Sequence, residues 1–455
     1  MSRALIWFRN DLRLSDNLAL DNAANNNELV FLYIYDPNYA IGSASKWFLH
    51  QALKSLKQDI KQNYNADLLI EFGDSQEIIE KYLADYQIEK VFWNRVYEPE
   101  IIQRDIKIKS SLKNLGYEVK SFNSSLFFEP GQIKNGSGDY FKVFTPFWKK
   151  CLANLVNIKN PIDAPKEING IKVSEAKSLD DLRLLPKNPD WSVGWNKLYN
   201  VSEANAHEQA LSFMKSKMSN YNIGRDFPGQ NSTSILSPFI HFGLISPKQL
   251  YFKAMMFEET DGLNVFFSEI GWREFSYNLL FNNPDLAKKS VKTKFDNFPW
   301  LNNKEHLKKW QTGQTGFPIV DAGMRQLWHT GWMHNRVRMI VASFLTKNLL
   351  IDWRIGAEWF NDCLVDADLA ANNASWQWVA GSGADAAPYF RIFNPITQSE
   401  KFDKNGIYIR KWVPEIAHLT NKEIHNPIRR DNYPEMMIDL KETRERALNI
   451  YRNLP

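Results

Sequence analysis

Residues 90–122 read KVFWNRVYEPEIIQRDIKIKSSLKNLGYEVKSF. A short apolar run, KVFWN (90–94), leads into PEIIQRDIKIKSSLKNLG, where apolar residues return at helical spacing, and then into a second extended run, YEVKSF (117–122). Strand, helix and strand in that order call for a right-handed crossover and parallel pairing. The pattern continues upstream. ALIWF (4–8), LVFLYIY (29–35) and DLLIEF (67–72) read as strands, and SKWFLHQALKSLKQDIKQN and EIIEKYLADYQ between them as amphipathic helices, the first carrying Trp47, Leu49, Leu53, Leu56 and Ile60. The expectation is an α/β doubly wound parallel-sheet domain over 1–130. It lacks a GxGxxG, so a dinucleotide fingerprint of the Rossmann kind is absent.

From 131 to 200 the sequence turns polar, with prolines at 146, 161, 165, 186 and 189, and reads as a long connector over the surface. From 201 to 455 the periodicity is helical, predicting an all-α domain, with helix starts at Ser237-Pro238 and Ser246-Pro247 where serine can cap.

The 455 residues are 44% hydrophobic, enough for several buried cores, and the formal net charge of +4 allows an anionic partner without demanding one. Two cysteines, Cys151 and Cys363, give neither a disulfide framework nor a cysteine metal site, which suits a reducing cytoplasm. No signal peptide and no membrane span is read. The unusual feature is 16 tryptophans, ten of them between Trp272 and Trp412, either core-forming or assembled for some use of flat rings.

Four stretches carry polar groups that a helical core does not need. In YNIGRDFPGQNSTSILSP (221–238), Thr233, Ser234 and Ser237 could offer hydroxyls and N–H groups to phosphate, or simply cap a helix. In FFSEIGWREFSYNLL (266–280), Glu269, Trp272, Arg273 and Ser276 share one helical face, suited to a flat heterocycle or to an ordinary surface ion pair. In GWMHNRVRMIVASFLTKNLL (331–350), Trp332, Asn335, Arg336 and Met339 share a face and Arg338 points away from it; alone, Met339 reads as core. In DADLAANNASWQWVAGSGADAAPYFRIFNP (366–395), Asp366 and Asp368 precede two amides and two indoles set among small residues. No HxxxH or cysteine lies near the aspartates, so no metal site is read, and no nucleophile–base pair is evident. Histidines 241, 329 and 334 read as structural. Acid–base catalysis has no clear home.

Together these stretches resemble one family, the DNA photolyases and cryptochromes, and within it the class I cyclobutane pyrimidine dimer photolyases. LIWFRNDLRLSDN (5–17) is similar to the family's N-terminal signature, and RDFPGQNSTSILSP, EIGWREF, TGFPIVDAGMRQLWHTGWMHNRVRM, LLIDWR and the 366–395 stretch are similar to its flavin-domain motifs, in order. The resemblance implies an N-terminal antenna domain, the connector, and a helical FAD- and DNA-binding domain holding a folded FAD. By motif position, Tyr221, Thr233, Ser234, Leu236 and Ser237 would hold the phosphates and ribityl chain. Trp332 would join the cofactor pocket, Arg338 and Asp366 would pair beside the isoalloxazine, Asp368 would bond its polar edge, and Asn372 would face N5.

The implied activity is that of a deoxyribodipyrimidine photo-lyase, a light-driven lyase in which reduced FAD carries the hard chemistry and the lesion is flipped out of UV-damaged DNA. Trp272 and Trp378 would wall the flipped bases, Glu269 and Asn335 would bond their edges, and Met339 would form the floor. Arg225, Arg273, Arg336 and Arg391 would position phosphates or the rim. Trp376, Trp353 and Trp300 resemble the chain that relays electrons to photo-oxidised flavin.

Asn335 and Met339 stand where a (6-4) photolyase would carry histidines, and Asn372 where plant-type cryptochromes tend to carry a carboxylate, so dimer repair is expected over a (6-4) photolyase, a blue-light photoreceptor, or a DNA-binding module without flavin. Ile235 replaces an arginine common in the Thr-Ser-Arg-Leu-Ser motif, and Gly271 replaces a bulkier residue. YEPEI (97–101) lacks the Asn-Glu pair of some folate-binding members, so a second antenna chromophore is left open between folate, deazaflavin and none. A cytoplasmic monomer acting on dimer-containing DNA is expected.

Overall fold

The computed structural model describes residues 2–172, 177–386, 390–428 and 432–454. The chain forms two compact units, one of Met1–Tyr140, Trp148–Lys215 and Ser234–Glu259, the other of Phe141–Phe147, Ser216–Thr233 and Thr260–Pro455.

The first unit is built on a parallel sheet. Strands β1 (Ser2–Phe8), β2 (Asn27–Tyr35), β3 (Leu68–Phe72), β4 (Lys90–Asn94) and β5 (Glu118–Phe122) lie in the order β3-β2-β1-β4-β5, with a short β6 (Asn169–Gly170) beside β2. Leu5 of β1 sits between Val30 and Val91 in register. The strands are apolar throughout because both faces are covered. Helices α1 (Leu18–Ala24), α2 (Ser43–Tyr64), α3 (Ser75–Asp85) and α4 (Pro99–Asn114) supply the cover. Trp7 and Trp93 meet edge to face at 5.7 Å within the core. This is the doubly wound α/β arrangement expected from the 90–122 pattern.

The N-terminal signature LIWFRNDLRLSDN acts as a polar joint inside this unit. Buried Arg13 donates to the carbonyls of Gly243, Asp16 and Ser124 and to the Ser124 hydroxyl. Asp16 accepts from the Ser246 hydroxyl and pairs with Lys248. Gly243 has φ +70° and lies against the Asn10 carbonyl, so a side chain there would collide with backbone.

Two local expectations change. The stretch 131–200 contains a helix, α5 (Phe144–Leu155), with Pro146 inside its first turn, where a missing N–H costs nothing. Phe144, Phe147, Trp148 and Cys151 in it are buried. Ser237 is the first residue of its helix and not the cap; Leu236 holds the cap position, without a side-chain bond. At Ser246 the cap is genuine, a capping box with Gln249.

The second unit is helical. Its helices Pro318–Thr330, Asn335–Ser343, Trp353–Cys363 and Leu369–Ala380 pack around Trp310, Phe317, Trp353 and Trp376, and Asp261–Asn282 lies against Leu369–Ala380. Asn335–Ser343 runs directly into a π-helical turn, Phe344–Asn348. Among the described residues no helix is long and apolar enough to cross a membrane.

Candidate functional site

The Leu369–Ala380 helix begins at Asp368, whose carboxylate does two tasks. One oxygen caps the helix by accepting from the Ala371 N–H at 2.8 Å, and the other accepts from the Tyr277 hydroxyl at 2.7 Å. Two residues earlier, Asp366 receives Arg338 through both carboxylate oxygens, at 2.9 and 3.1 Å. Arg338 is fixed from its other edge by a 2.7 Å bond from Nε to the Met333 carbonyl. Its guanidinium plane is therefore set before any ligand arrives. Asn372 donates from Nδ2 to the Ala357 carbonyl at 3.0 Å, which fixes the amide and leaves Oδ1 as the acceptor end. Trp332 is half-buried, its ring 6.0 Å from the Arg338 guanidinium. A fixed guanidinium, two carboxylates and an oriented amide on neighbouring helices fit the alternating donors and acceptors of an isoalloxazine edge.

The residues expected at the phosphates divide between the units. Tyr221 and Thr233 belong to the helical unit, and Tyr221 is buried edge to face with Phe266 at 6.1 Å. Ser234, Leu236 and Ser237 belong to the other unit. There Leu236 is buried, Ser237 is exposed, and Gln209 donates to the Ser234 and Ile235 carbonyls at 2.7 and 3.0 Å. Ile235 itself has φ +52°, a conformation that a β-branched residue adopts only when held.

Two further ion pairs lie in the helical unit. Arg225 pairs with Glu269, and Arg336 pairs with Asp226 at 2.6 Å while its guanidinium lies 4.4 Å over the Phe402 ring. Burial pushes the Glu269 carboxyl up, and Arg225 pulls it back. Glu269 is thus held by a cation, a partnership that helical spacing could not reveal. Ser276, placed on the same face by its spacing, turns back to bond the Trp272 carbonyl. Arg273 lies 5.0 Å over the Tyr277 ring.

Asn335 is exposed at the start of its helix, and Met339 is half-buried, with Sδ 3.8 Å from Arg336 Nη1. Trp332 precedes that helix, so only Asn335, Arg336 and Met339 share its turns. Arg391 is exposed beside Phe393, at 5.1 Å.

The two tryptophans expected to wall a base share a support absent from the sequence reading. Phe144 stacks on Trp272 with centroids 3.8 Å apart and planes 9° from parallel. Its N–H donates to the Asp385 carboxylate, and the Asp385 carbonyl accepts from Trp378 Nε1 at 3.1 Å. Phe144, remote in sequence, thus braces Trp272, and Asp385 links it to Trp378. A Phe144→Ala protein is expected to keep its flavin and to lose about tenfold in affinity for a dimer-containing duplex, one aromatic pair being worth about 0.5–1.5 kcal/mol. A titration that matches the parent protein would remove Phe144 from this role.

The other tryptophans run from core to surface. Trp376 is 2% exposed, Trp353 0%, and Trp300 is partly exposed, packed between two core clusters. Trp376 lies so close to Gly356, one turn after Trp353, that a Cβ there would collide with the indole edge. Phe360 and Trp310 clamp it from the sides at 5.0 and 6.3 Å. Asn373 and Gln377 are structural: Gln377 ties its helix to the Leu286 and Lys289 carbonyls and to the Val291 N–H.

The FAD binding domain of DNA photolyase matches residues 266–453, and the DNA photolyase family matches 4–166. The deoxyribodipyrimidine photo-lyase of Agrobacterium fabrum is 42% identical, with 98% of this chain and 97% of that protein covered. This chain belongs to the DNA photolyase family. The Escherichia coli deoxyribodipyrimidine photo-lyase is 37% identical over 99% of the chain and 98% of its own length. In structure, a bacterial class III photolyase from Agrobacterium tumefaciens superimposes with a TM-score of 0.95 at 40% identity, covering 100% of this chain and 98% of that one. An archaeal photolyase from Sulfolobus tokodaii, which carries two FAD molecules, gives 0.86 at 28% identity, covering 99% and 100%. The class I expectation of the sequence gives way here, because the motifs that carried it are family-wide while the full-length likeness is to a class III structure. As a photolyase-family chain it has an FAD-binding helical domain, and Arg338, Asp366, Asp368 and Asn372 are the residues whose geometry fits that cofactor.

Proposed function

We propose that this chain is a light-driven deoxyribodipyrimidine photo-lyase of the class III type, which splits cyclobutane pyrimidine dimers in UV-damaged DNA. The reading is carried by the presence, in one helical unit, of the fixed Arg338–Asp366 pair and Asp368 together with the half-buried Arg225–Glu269 pair and the braced Trp272. Reduced FAD, when bound, supplies the photoexcited electron and receives it back.

The protein's own contribution is to bind, orient and keep dry. Arg338 and Asp366 hold the ring plane, Asp368 meets its polar edge, and Asn372 presents Oδ1. Trp272 and Trp378 offer flat apolar walls to bases flipped from the duplex, which a dimer gives up cheaply because it is already poorly stacked. Glu269 and Asn335 bond base edges, Met339 closes the floor, and Arg225, Arg273, Arg336 and Arg391 meet phosphate or the rim. Tyr221, Thr233, Ser234, Leu236 and Ser237 hold the phosphate end of the cofactor. Trp300, Trp353 and Trp376 relay electrons inward. We read the protein as a cytoplasmic monomer, and an absorbance spectrum would decide whether a second chromophore, folate or deazaflavin, is present or none.

The deciding experiment is a spectrum of the purified protein followed by light-dependent loss of thymine dimers from irradiated DNA. Flavin photoreduction without dimer loss would make it a photoreceptor. Glu269→Ala is expected to retain flavin and bind a dimer-containing duplex roughly tenfold more weakly, about 1.4 kcal/mol. Unchanged binding would move Glu269 out of the lesion site.

A further inference from the structure

His334 sits between the cofactor-side and lesion-side groups. It precedes Asn335, follows Met333, whose carbonyl fixes Arg338, and feels the charges of Asp226, Arg338, Arg336 and Arg225. It is 3% exposed. Its Nδ1 caps the Asn335–Ser343 helix by accepting the Arg336 N–H at 3.2 Å, so Nδ1 carries the lone pair. In the neutral ring the proton must then reside on Nε2. Burial keeps the ring neutral by driving its pKa down to about 4.

That Nε2–H has no hydrogen-bond partner among the described residues, and His334 is the histidine of the helical unit, among those residues, of which this is true. A buried N–H left unpaired is expensive, so such a donor is retained where something else accepts from it. The backbone fixes the other edge of the ring, which makes the direction of Nε2–H as settled as that of a main-chain amide.

We infer that His334 is a ligand-binding residue whose Nε2–H donates to a heterocyclic acceptor, a carbonyl oxygen or ring nitrogen, of the group bound in this site. It rests on the functional reading above. Two sources share this chemistry, the bases of the flipped lesion and the rings of FAD. A neutral donor suits either, since it selects a lone pair without placing a further cation beside Arg225, Arg336 and Arg338. The residue would discriminate against rings that present N–H or C–H at that point, because two donors facing one another leave both unpaired.

Two substitutions separate the cap from the donor. His334→Asn keeps a side-chain oxygen able to cap the helix but cannot reach the Nε2 position. His334→Gln extends an amide N–H toward that position and is a poor cap. The holoprotein is compared in three measurements: thermal midpoint, FAD retained on dilution, and binding of a thymine-dimer duplex against the undamaged duplex. Expected for His334→Asn is an unchanged thermal midpoint with about tenfold weaker binding of one ligand, and for His334→Gln a lowered midpoint with that ligand's binding restored. Loss of FAD names the cofactor as the acceptor, and loss of dimer discrimination with full FAD names the lesion. If His334→Asn binds FAD and the dimer duplex as the parent does, the inference is overturned. A parent protein that shows no preference for the dimer duplex would instead sink the functional reading, independently of His334.

Discussion

A Trp376→Phe protein purified with oxidised flavin is expected not to photoreduce it under blue light with an external reductant, while the same protein, chemically reduced beforehand, repairs dimers at the parent rate. The separation follows from position. Trp376 is buried on the face of its helix away from Trp378, locked by Phe360, Trp310 and the backbone at Gly356. Phenylalanine preserves much of that packing but is far harder to oxidise than an indole. Gly356→Ala supplies the complementary case, because the added methyl must push the indole from its seat and overpacking costs about 1–3 kcal/mol. That variant should photoreduce slowly although all three tryptophans remain, and it should melt earlier. Photoreduction of Trp376→Phe at the parent rate would remove Trp376 from the relay and leave it a core residue.

Trp376 also shows what a linear sequence can disclose. The fold of the first unit was legible because each strand is a short apolar run and each crossover helix has its own period, all local properties. The pairing of Arg338 with Asp366 came from motif resemblance, and the side chains do meet. What stayed hidden is non-local. Phe144 stacks on Trp272 across a separation of well over a hundred residues, and nothing in VFTPF distinguishes that phenylalanine from a core filler. The pairing of Arg225 with Glu269 and of Asp226 with Arg336 joins residues far apart in the chain, which no local pattern announces. The helix Phe144–Leu155 was masked by Pro146, which reads as a breaker unless the helix is known to start two residues earlier. His334 was set aside as a structural histidine because its orphaned nitrogen is a property of packing. Subclass was not legible for another reason: the resemblance at Asn335, Met339 and Asn372 bears on dimer repair against other members and does not divide one class of dimer repair from another.

The largest effect of pH on stability is expected at Lys347, a residue that sequence periodicity leaves anonymous. It lies on the π-helical turn Phe344–Asn348, 2% exposed, with Nζ donating to the Arg391 carbonyl at 2.7 Å and 4.2 Å from the Phe390 ring centroid. Burial lowers its pKa to about 7, and no ionisable neighbour contributes to the shift. In the unfolded chain the same group titrates near about 10.4. Between those two values the unfolded chain binds the extra proton, so stability rises with pH across the window and is lost again as pH falls through about 7. Below that pH the ammonium is buried with its full desolvation cost, offset by one carbonyl bond and one aromatic face. Lys347→Met keeps the bulk and removes the charge, so at pH 6 it should stabilise the fold by about 1–4 kcal/mol, with the gain shrinking toward zero near pH 10. Urea melts of both proteins across this range test it, since every other titrating group cancels in the difference. A difference that does not change with pH would mean that Lys347 is not buried as a titrating charge. The same substitution releases the Phe390–Phe393 stretch, which is otherwise held by Lys347 and by the Ser343 hydroxyl on the Phe393 N–H. A protein that gains stability at Lys347 while binding damaged DNA more weakly would show that the buried charge is retained to hold Arg391 in place.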